Sequence, residues 1–129
     1  MESICRIKEM YKALYLFEKE FAKEHEMTIN EAMLLCCMKD DRPHSANEIA
    51  EFIGLSSPRV SKIITSVEHR GWIVREMGAQ DRRKMIFTLS DKGKEAMKKI
   101  TEKKIDFTEA LSILTNKYTN NSPQSADNN

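Results

Sequence analysis

Apolar residues recur at helical spacing near both ends of the chain, which predicts helices on each side of a central region. Residues 3–25 contain neither Gly nor Pro, and their apolar seam comprises Ile4, Ile7, Tyr11, Leu14, Phe17 and Phe21. Residues 95–118 carry a near-heptad seam with a break expected near Lys104, and its members are Met97, Ile100, Phe107, Leu111, Leu114 and Tyr118. Each seam needs an apolar partner to cover it. Residues 119–129 lack an apolar period and are predicted to be a disordered tail.

A capping box marks the start of a second helix. Thr28 is followed three residues later by Glu31, and this pair predicts a helix over residues 29–39. The helix is largely apolar, so we expect it to be mostly buried. The polar residues 40–44 contain a proline and are predicted to form a loop.

The third predicted helix begins with the same capping signal. Ser45 and Glu48 repeat the spacing, and Gly54 supplies a left-handed stop. Only the short sequence GLSS connects this helix to the next one. Two short helices joined by so tight a turn are typical of a helix-turn-helix.

The following segment, residues 56–71, has two faces of different character. Ser57 is expected as its N-cap, Pro58 as its first helical residue and Gly71 as its stop. Its apolar stripe comprises Val60, Ile63, Ile64 and Val67. Its other face is rich in hydroxyl groups and cations, contributed by Ser56, Ser57, Arg59, Ser61, Lys62, Thr65 and Ser66. These side chains suit hydrogen bonding to phosphates and base edges in a major groove, although many solvated surface helices look similar.

After Gly71 the apolar pattern changes from a helical period to strand character. Residues 72–75 and 84–89 are predicted to pair as a β-hairpin around a polar tip at residues 77–82. A hairpin directly after a recognition helix is the wing of a winged helix, and its basic triplet Asp81, Arg82 and Arg83 is placed to reach a minor groove. The predicted fold class is therefore mainly α with a small β-hairpin wing.

The charge distribution supports a polyanion site in the central region. Residues 42–94 hold ten Lys and Arg against six Asp and Glu, whereas residues 1–41 hold six against nine. With 129 residues and 40% hydrophobic content, one domain is expected. The sequence contains no apolar run long enough for a membrane span, and its first residues lack the apolar core of a secretory signal. We therefore expect a cytoplasmic location and no membrane partner. Three cysteines without metal-finger spacing are expected to be reduced thiols, with Cys36 and Cys37 in the core.

Taken together, these motifs resemble the MarR family of bacterial transcription regulators. The stretch NEIAEFIGLSSPRVSKIITSVEHRGWIVRE is similar to the family's helix-turn-helix and first wing strand, and DRRKMIFTLSDKG is similar to its wing tip, return strand and following helix. The resemblance implies that Arg83 enters the minor groove, that Asp81 holds it in place and that Arg82 contacts phosphate.

The same resemblance implies a homodimer on a pseudo-palindromic double-stranded DNA operator. It divides a single domain, residues 1–118, into a winged helix-turn-helix core at 28–94 and dimerisation helices at 1–27 and 95–118. The expected dimerisation residues are Ile4, Ile7, Tyr11, Leu14, Phe17, Phe107, Leu111 and Leu114. The C-terminal helical region is shorter than the family's usual helix pair, so a smaller interface is expected.

The sequence does not identify the regulatory signal. The family implies a repressor released by a small-molecule or oxidative signal, and Cys5 is the candidate for a reactive thiol. The histidines lack paired-ligand spacing, so no metal site is assigned, and no cofactor is expected. The sequence has no phosphate-binding loop, zinc pair or activated nucleophile, so it is predicted not to be an enzyme. The alternative function is a winged-helix protein–protein interaction module without specific DNA binding.

Overall fold

A computed structural model describes residues 2–103 of the chain, and in this range it contains five α-helices, a 3-10 turn and three β-strands. One compact unit spans Met27–Lys104, and the first helix belongs to a second unit. The helices are α1 (Glu2–His25), α2 (Ile29–Cys37), α3 (Ala46–Ile53), α4 (Ser57–His69) and α5 (Asp91–Glu102). The strands are β1 (His44–Ser45), β2 (Ile73–Met77) and β3 (Met85–Leu89).

Helix α1 forms over the predicted range and exposes most of its apolar seam. Ile4, Ile7, Tyr11 and Leu14 are all exposed, whereas Phe21 near the C-terminal end is buried. The helix ends before Glu26, which has a left-handed φ of 56°. Two residues of the second seam, Met97 and Ile100, lie on α5 and are half-buried. The rest of that seam, the expected break at Lys104 and the tail at residues 119–129 lie outside the described residues.

Both predicted capping boxes are confirmed. The N–H of Thr28 donates to Oε1 of Glu31 at 2.9 Å, and the N–H of Glu31 donates to Oγ1 of Thr28 at 3.1 Å. The reciprocal bonds of Ser45 and Glu48 measure 2.8 and 3.2 Å. Gly54 ends α3 with a φ of 81°, as its position predicted. The local sequence therefore determines where α2 and α3 begin and where α3 ends.

The predicted C-terminal end of α2 and the predicted N-cap of α4 need correction. Helix α2 stops at Cys37, and Met38–Asp40 continue as a 3-10 turn rather than as α-helix. Helix α4 is capped by Ser56 instead of Ser57, because the carbonyl oxygen of Ser56 accepts the first helical bond from the N–H of Val60 at 2.9 Å. Ser57 is consequently the first helical residue, and Pro58 is the second.

The wing is a three-stranded antiparallel sheet in the order β1–β3–β2 rather than a simple hairpin. Strand β1 lies where a loop was predicted, and its pairing of His44 with Phe87 adds an edge to the hairpin. Strands β2 and β3 pair from Ile73 with Leu89 to Met77 with Met85. The first wing strand thus reaches further toward the tip than the sequence predicted, because Met77 still pairs with Met85. The second strand begins one residue later than predicted, because Lys84 belongs to the tip turn, where its N–H donates to the carbonyl oxygen of Asp81 at 3.0 Å.

The core of this unit lies between α2, α3, α4 and the base of the sheet. Its fully buried side chains are Leu34, Leu35, Met38, Ile49, Val60 and Val67. Two of these belong to the predicted apolar stripe of α4, and the other two members, Ile63 and Ile64, are also buried. Burying this stripe fixes which face of α4 points outward.

Candidate nucleic-acid interface

The outward face of α4 presents cations and hydroxyl groups to solvent. Its exposed side chains include Ser57, Arg59, Ser61, Lys62 and Thr65. Neither Arg59 nor Lys62 forms an ion pair with another described residue, and no acidic side chain lies on the helix before Glu68. Two charged groups that keep their full hydration and donor capacity are suited to bind an anionic partner.

Hydroxyl groups of this helix differ in how far they are already engaged. Thr65 donates its Oγ1 proton to the carbonyl oxygen of Ser61 at 2.9 Å, which leaves its oxygen free to accept. Ser66 donates its Oγ proton to Oε2 of Glu31 on α2. Of the seven candidate residues on this segment, Ser66 is therefore the one whose hydroxyl is directed to a neighbouring helix.

Glu31 is the buried acceptor that joins α2 to the C-terminal half of α4. Its side chain is almost entirely inaccessible, and its Oε2 also accepts a bond from Nε of Arg70 at 3.0 Å. Burial by itself raises the pKa of this carboxyl group, but the bonds from Ser66 and the Thr28 N–H and the charge of Arg70 outweigh it. The net pKa is lowered, so the carboxylate form is retained in the folded protein.

A second ion pair attaches the wing to the same helix. The guanidinium of Arg75 on β2 donates twice to the Glu68 carboxylate, from Nε at 3.0 Å and from Nη2 at 2.7 Å. These hydrogen bonds raise the pKa of Arg75. The guanidinium also lies 5.4 Å from the ring centroid of Phe87 on β3. The bidentate geometry fixes the base of the wing relative to α4 more tightly than a single contact would.

At the wing tip, Asp81 and Arg83 lie together, as the family resemblance implied. Oδ1 of Asp81 accepts the N–H of Arg83 at 3.0 Å and is 3.6 Å from its Nε. Arg82 is exposed and has no ion pair with a described residue. The turn is tight, because a Cβ on Gly78 would lie 2.8 Å from the carbonyl oxygen of Asp81. Two arginine side chains therefore project from a short, internally bonded turn.

His44 connects the 3-10 turn, β1 and α3 below the sheet. Its Nε2 is 2.9 Å from Oδ1 of Asp40, and its Nδ1 is 3.8 Å from Oε1 of Glu48. The bond to His44, with help from the N–H of Arg42, lowers the pKa of Asp40 to about 2. No group of three or more His, Cys, Asp or Glu side chains in the described range is arranged to hold a metal ion.

The three cysteines occupy different environments. Cys5 is exposed on α1 and Cys37 is buried, where desolvation, followed by the charges of Asp40 and Glu48, raises its pKa to about 11. Such a thiol is poorly reactive. Cys36 is exposed, so its expected place in the core was wrong, because successive residues of a helix point about 100° apart and only Cys37 faces inward.

Sequence reasoning missed the two contacts that hold α4 in place. Glu31 was recognised only as a helix cap, and Arg70 and Arg75 were not singled out. The hydrogen bond between Glu31 and Arg70 spans 39 positions of the chain, and no local spacing predicts such a pair. Arg70 follows the last residue of α4, and a basic residue at a helix C-terminus is common, so its presence there did not indicate Glu31 as its partner.

This geometry defines a winged helix-turn-helix, and comparison with known proteins agrees with it. A model of the MarR family matches residues 27–85. The resemblance of this segment to the MarR family, which the sequence predicted, is therefore confirmed.

Curated relatives are described as helix-turn-helix transcriptional regulators. YwoH of Bacillus subtilis is 27% identical over 78 residues, which is 60% of this chain and 56% of YwoH. YkoM of the same organism is 32% identical over 79 residues, which is 61% of this chain and 51% of YkoM. The chain thus spans about half the length of the curated relatives that it matches.

Solved structures share the fold over most of the chain. Bordetella bronchiseptica BpsR, described as regulated in its DNA binding by 6-hydroxynicotinic acid, has a TM-score of 0.68 at 16% identity, covering 93% of this chain and 81% of BpsR. Reduced AbfR bound to DNA has a TM-score of 0.67 at 22% identity, covering 88% and 86%. These similarities confirm the predicted fold class. No helix in the described range is long and apolar enough to cross a membrane.

Proposed function

We propose that this protein is a sequence-specific, double-stranded DNA-binding transcription regulator that acts as a repressor. The observation that carries the proposal is the exposed face of α4, where Arg59 and Lys62 stand without ion-pair partners among the described residues. A MarR-family segment surrounds this face, and one of the similar structures is described as bound to DNA. Unpaired cations also occur on ordinary solvated helices, and it is the position of Arg59 and Lys62 beside an arginine-bearing wing that favours DNA as the partner.

In this proposal α4 lies in the major groove and the wing reaches the adjacent minor groove. Arg59 and Lys62 are in the first two turns of α4, where side chains of a recognition helix reach base edges. Ser57, Ser61 and Thr65 supply hydroxyl groups for phosphates or bases. On the wing, Arg83 enters the minor groove, supported by Asp81, and Arg82 contacts phosphate. Ser56 is the N-cap of α4, and the hydroxyl of Ser66 is bonded to Glu31, so these two residues contribute less directly to DNA binding.

The proposed partner arrangement is a homodimer on a pseudo-palindromic operator. Each copy would place one α4 in each half-site, so the symmetry of the DNA site would match that of the protein. The exposed residues Ile4, Ile7, Tyr11 and Leu14 of α1 support this proposal, because soluble monomers seldom expose a contiguous apolar stripe. Phe17 of α1, together with Phe107, Leu111 and Leu114, completes the proposed dimerisation set.

A signal that releases the protein from DNA belongs to the same proposal. The description of BpsR names 6-hydroxynicotinic acid as a regulator of its DNA binding, and AbfR is described bound to DNA in a reduced and in an overoxidised form. A small molecule and a change of oxidation state are thus both represented among similar structures. We propose a small-molecule or oxidative signal of this kind, acting on a cytoplasmic protein that performs no catalysis and needs no cofactor.

Selection of bound sequences from a random duplex DNA pool tests this function directly. We expect the full chain to enrich a motif with two-fold symmetry, since two identical recognition helices would read it. Binding to random duplex should also weaken steeply as salt increases. Absence of enrichment together with salt-independent binding would support the alternative of a protein–protein interaction module.

Single substitutions on α4 test which residues read the sequence. Arg59→Ala or Lys62→Ala should cost about 1–3 kcal/mol on the selected operator and relax the preference at one base position. Lys98→Ala removes an exposed lysine from α5 and should leave the base preference unchanged. Fluorescence anisotropy with the operator and with single-base variants measures these effects. Equal losses on operator and random DNA would mean that α4 binds only the phosphate backbone.

A further inference from the structure

The Glu31 carboxylate is the one buried charged group found among the described residues. Its side chain is 4% exposed, and it accepts hydrogen bonds from three separate places. One oxygen caps α2 through the N–H of Thr28, and the other binds Ser66 and Arg70. Capping α2 would require only the first of these bonds, since Glu48 caps α3 in the same way while remaining 62% exposed.

The second oxygen of Glu31 links the two elements proposed to contact DNA. Ser66 lies in the last two turns of α4, and Arg70 follows the helix directly before the wing. The Arg70 guanidinium is held between this oxygen and the indole of Trp72, at 4.6 Å from the ring centroid. Trp72 in turn precedes β2, and its carbonyl oxygen accepts the N–H of Ser90 at 2.9 Å. A single carboxylate oxygen thus fixes the end of α4 and the start of the wing.

We propose that Glu31 is a positioning residue for DNA recognition, which acts through Ser66 and Arg70 to set the orientation of α4 relative to the wing. This inference rests on the proposed function. In the proposed complex, α4 contacts bases while the wing enters the adjacent groove, and both contacts must form at the same time. A small rotation of one element against the other therefore disrupts the sequence-specific contacts. Contacts with phosphates tolerate such a rotation better, because they do not depend on the identity of the base. Loss of the Glu31 charge should therefore reduce specificity more than overall DNA affinity.

Glu31→Gln isolates the positioning role from the capping role. The amide oxygen of Gln can still accept the N–H of Thr28, but its NH2 group faces the Arg70 guanidinium, which can only donate, while the Ser66 hydroxyl would have to rotate to accept. We expect operator affinity to fall about tenfold, with a change of less than about twofold on random DNA. Arg70→Gln should have a similar effect, and the double variant should lose less than the sum of the two single losses, because both variants remove the contact between Glu31 and Arg70.

Glu48→Gln is the matched control, since Glu48 holds the same capping-box position in α3 and has no bond to α4. It should change neither operator affinity nor the ratio of operator to random binding. Urea unfolding of all variants identifies any general loss of stability. Additive effects of Glu31→Gln and Arg70→Gln, or equal losses on operator and random DNA, would overturn the positioning role.

Fluorescence of Trp72 provides a readout that does not depend on DNA. Trp72 is the only tryptophan of the chain, and the Arg70 guanidinium lies over its ring. Tryptophan emission therefore comes from this one site and responds to a change in the position of Arg70. Glu31→Gln should alter this emission in the same direction as Arg70→Gln, and Glu48→Gln should not. If the wild type selects no DNA sequence, the proposed function fails and the inference fails with it. If the wild type selects a sequence and Glu31→Gln leaves specificity and emission unchanged, the inference alone is wrong.

Discussion

At the scale of single residues, Asp81 can affect DNA binding in two opposite ways. Its negative charge repels phosphates, but its carboxylate also accepts the N–H of Arg83 and lies 3.6 Å from the Nε of that arginine. The Arg83 side chain is 95% exposed, so the ion pair in the free protein adds little stability. The ion pair would instead favour DNA binding by reducing the conformational entropy that Arg83 loses when it enters a groove.

Two wing variants therefore distinguish support from repulsion. Arg83→Ala should weaken binding to operator and random DNA by similar factors and reduce the log–log salt slope by about 1 per half-site, because one cationic contact is lost from each. Asp81→Ala should weaken binding in the same way but less, although it removes a negative charge. Anisotropy titrations between low and moderate salt measure both effects.

Glu76→Ala is the control for the charge of Asp81. Glu76 is an exposed acidic residue on the same hairpin, and no bond to Arg83 is seen. Its removal should leave DNA affinity unchanged or raise it slightly. Tighter binding by Asp81→Ala at low salt, as expected for Glu76→Ala, would show that Asp81 is only a repelling surface charge.

Asp40 gives a pH-dependent contribution to stability whose sign follows from its pKa. The folded-state pKa is about 2, compared with 3.8 for an unperturbed aspartate, so the unfolded chain binds the proton more readily. The stabilisation is therefore complete above about pH 4 and disappears as the pH falls toward 2.

We expect Asp40→Asn to lower the thermal midpoint at pH 5, with a difference from wild type that shrinks between pH 4 and pH 2. Asp41→Asn removes the neighbouring charge without removing the bond to His44 and serves as the control. Thermal scans at half-unit intervals over this range provide the measurement. A difference that stays constant down to pH 2 would mean that the bond to His44 does not depend on the charge of Asp40.

At the scale of elements, the approach of α5 to the base of the wing requires a residue without a side chain. A Cβ on Gly93 would lie 2.1 Å from the carbonyl oxygen of Trp72 and 2.9 Å from Cδ1 of Leu89. The same region is held by Ser90, whose Oγ donates to the carbonyl oxygen of Gly71 at 2.6 Å and accepts the N–H of Gly93 at 3.0 Å. Since the obstructing atom belongs to the backbone, no rotamer change relieves the clash.

Gly93→Ala should therefore reduce the free energy of unfolding by about 2 kcal/mol or more. Gly54→Ala provides the comparison, because Gly54 has a left-handed φ of 81° but open space around its Cα, so only backbone strain of about 1 kcal/mol is expected. Urea unfolding at one protein concentration measures both. If the two variants lose equal stability, α5 moves away from Trp72 at little cost.

Elements with local signals could be predicted from the sequence, whereas their mutual arrangement could not. The bonds between Thr28 and Glu31 need only residues three positions apart, so spacing was sufficient to predict them. Strand β1 has only two residues and forms because β3 lies beside it, and no period is readable in so short a segment. The cap of α4 was misplaced by one position because Ser56 and Ser57 are equally good candidates by residue type.

The candidate site follows the same division. The outward face of α4 was predictable because Val60, Ile63, Ile64 and Val67 determine the buried face, and the remaining residues then point outward. The contact of Asp81 with Arg83 was implied by the family resemblance and not by a pattern in the residues themselves. The contact of Glu31 with Arg70 joins residues far apart in the chain and depends on the packing of α2 against α4, which no pattern in one sequence specifies.

At the scale of the whole molecule, α1 exposes more apolar surface than a soluble monomer usually does. Ile4, Ile7, Tyr11 and Leu14 are between 43% and 70% exposed. They repeat at three- and four-residue intervals, so they form one stripe along the helix. A stripe of this length is expected to be covered by another protein surface, and a second copy of the chain is the partner that the proposed symmetric operator requires.

Leu14→Glu places a charge at the C-terminal end of this stripe and should shift the protein toward the monomer, because an unpaired carboxylate is costly to bury. Leu16→Glu is the matched control, since Leu16 is another exposed leucine, which lies about 200° further around α1 and outside the stripe. Sedimentation at micromolar concentration should give close to twice 14.9 kDa for the wild type and Leu16→Glu. It should give a smaller mass for Leu14→Glu, with a parallel loss of operator binding, because a monomer can occupy only one half-site. A wild type that sediments near 14.9 kDa would remove the homodimer and the palindromic operator from the proposal, while binding of one half-site by α4 and the wing would remain open to test.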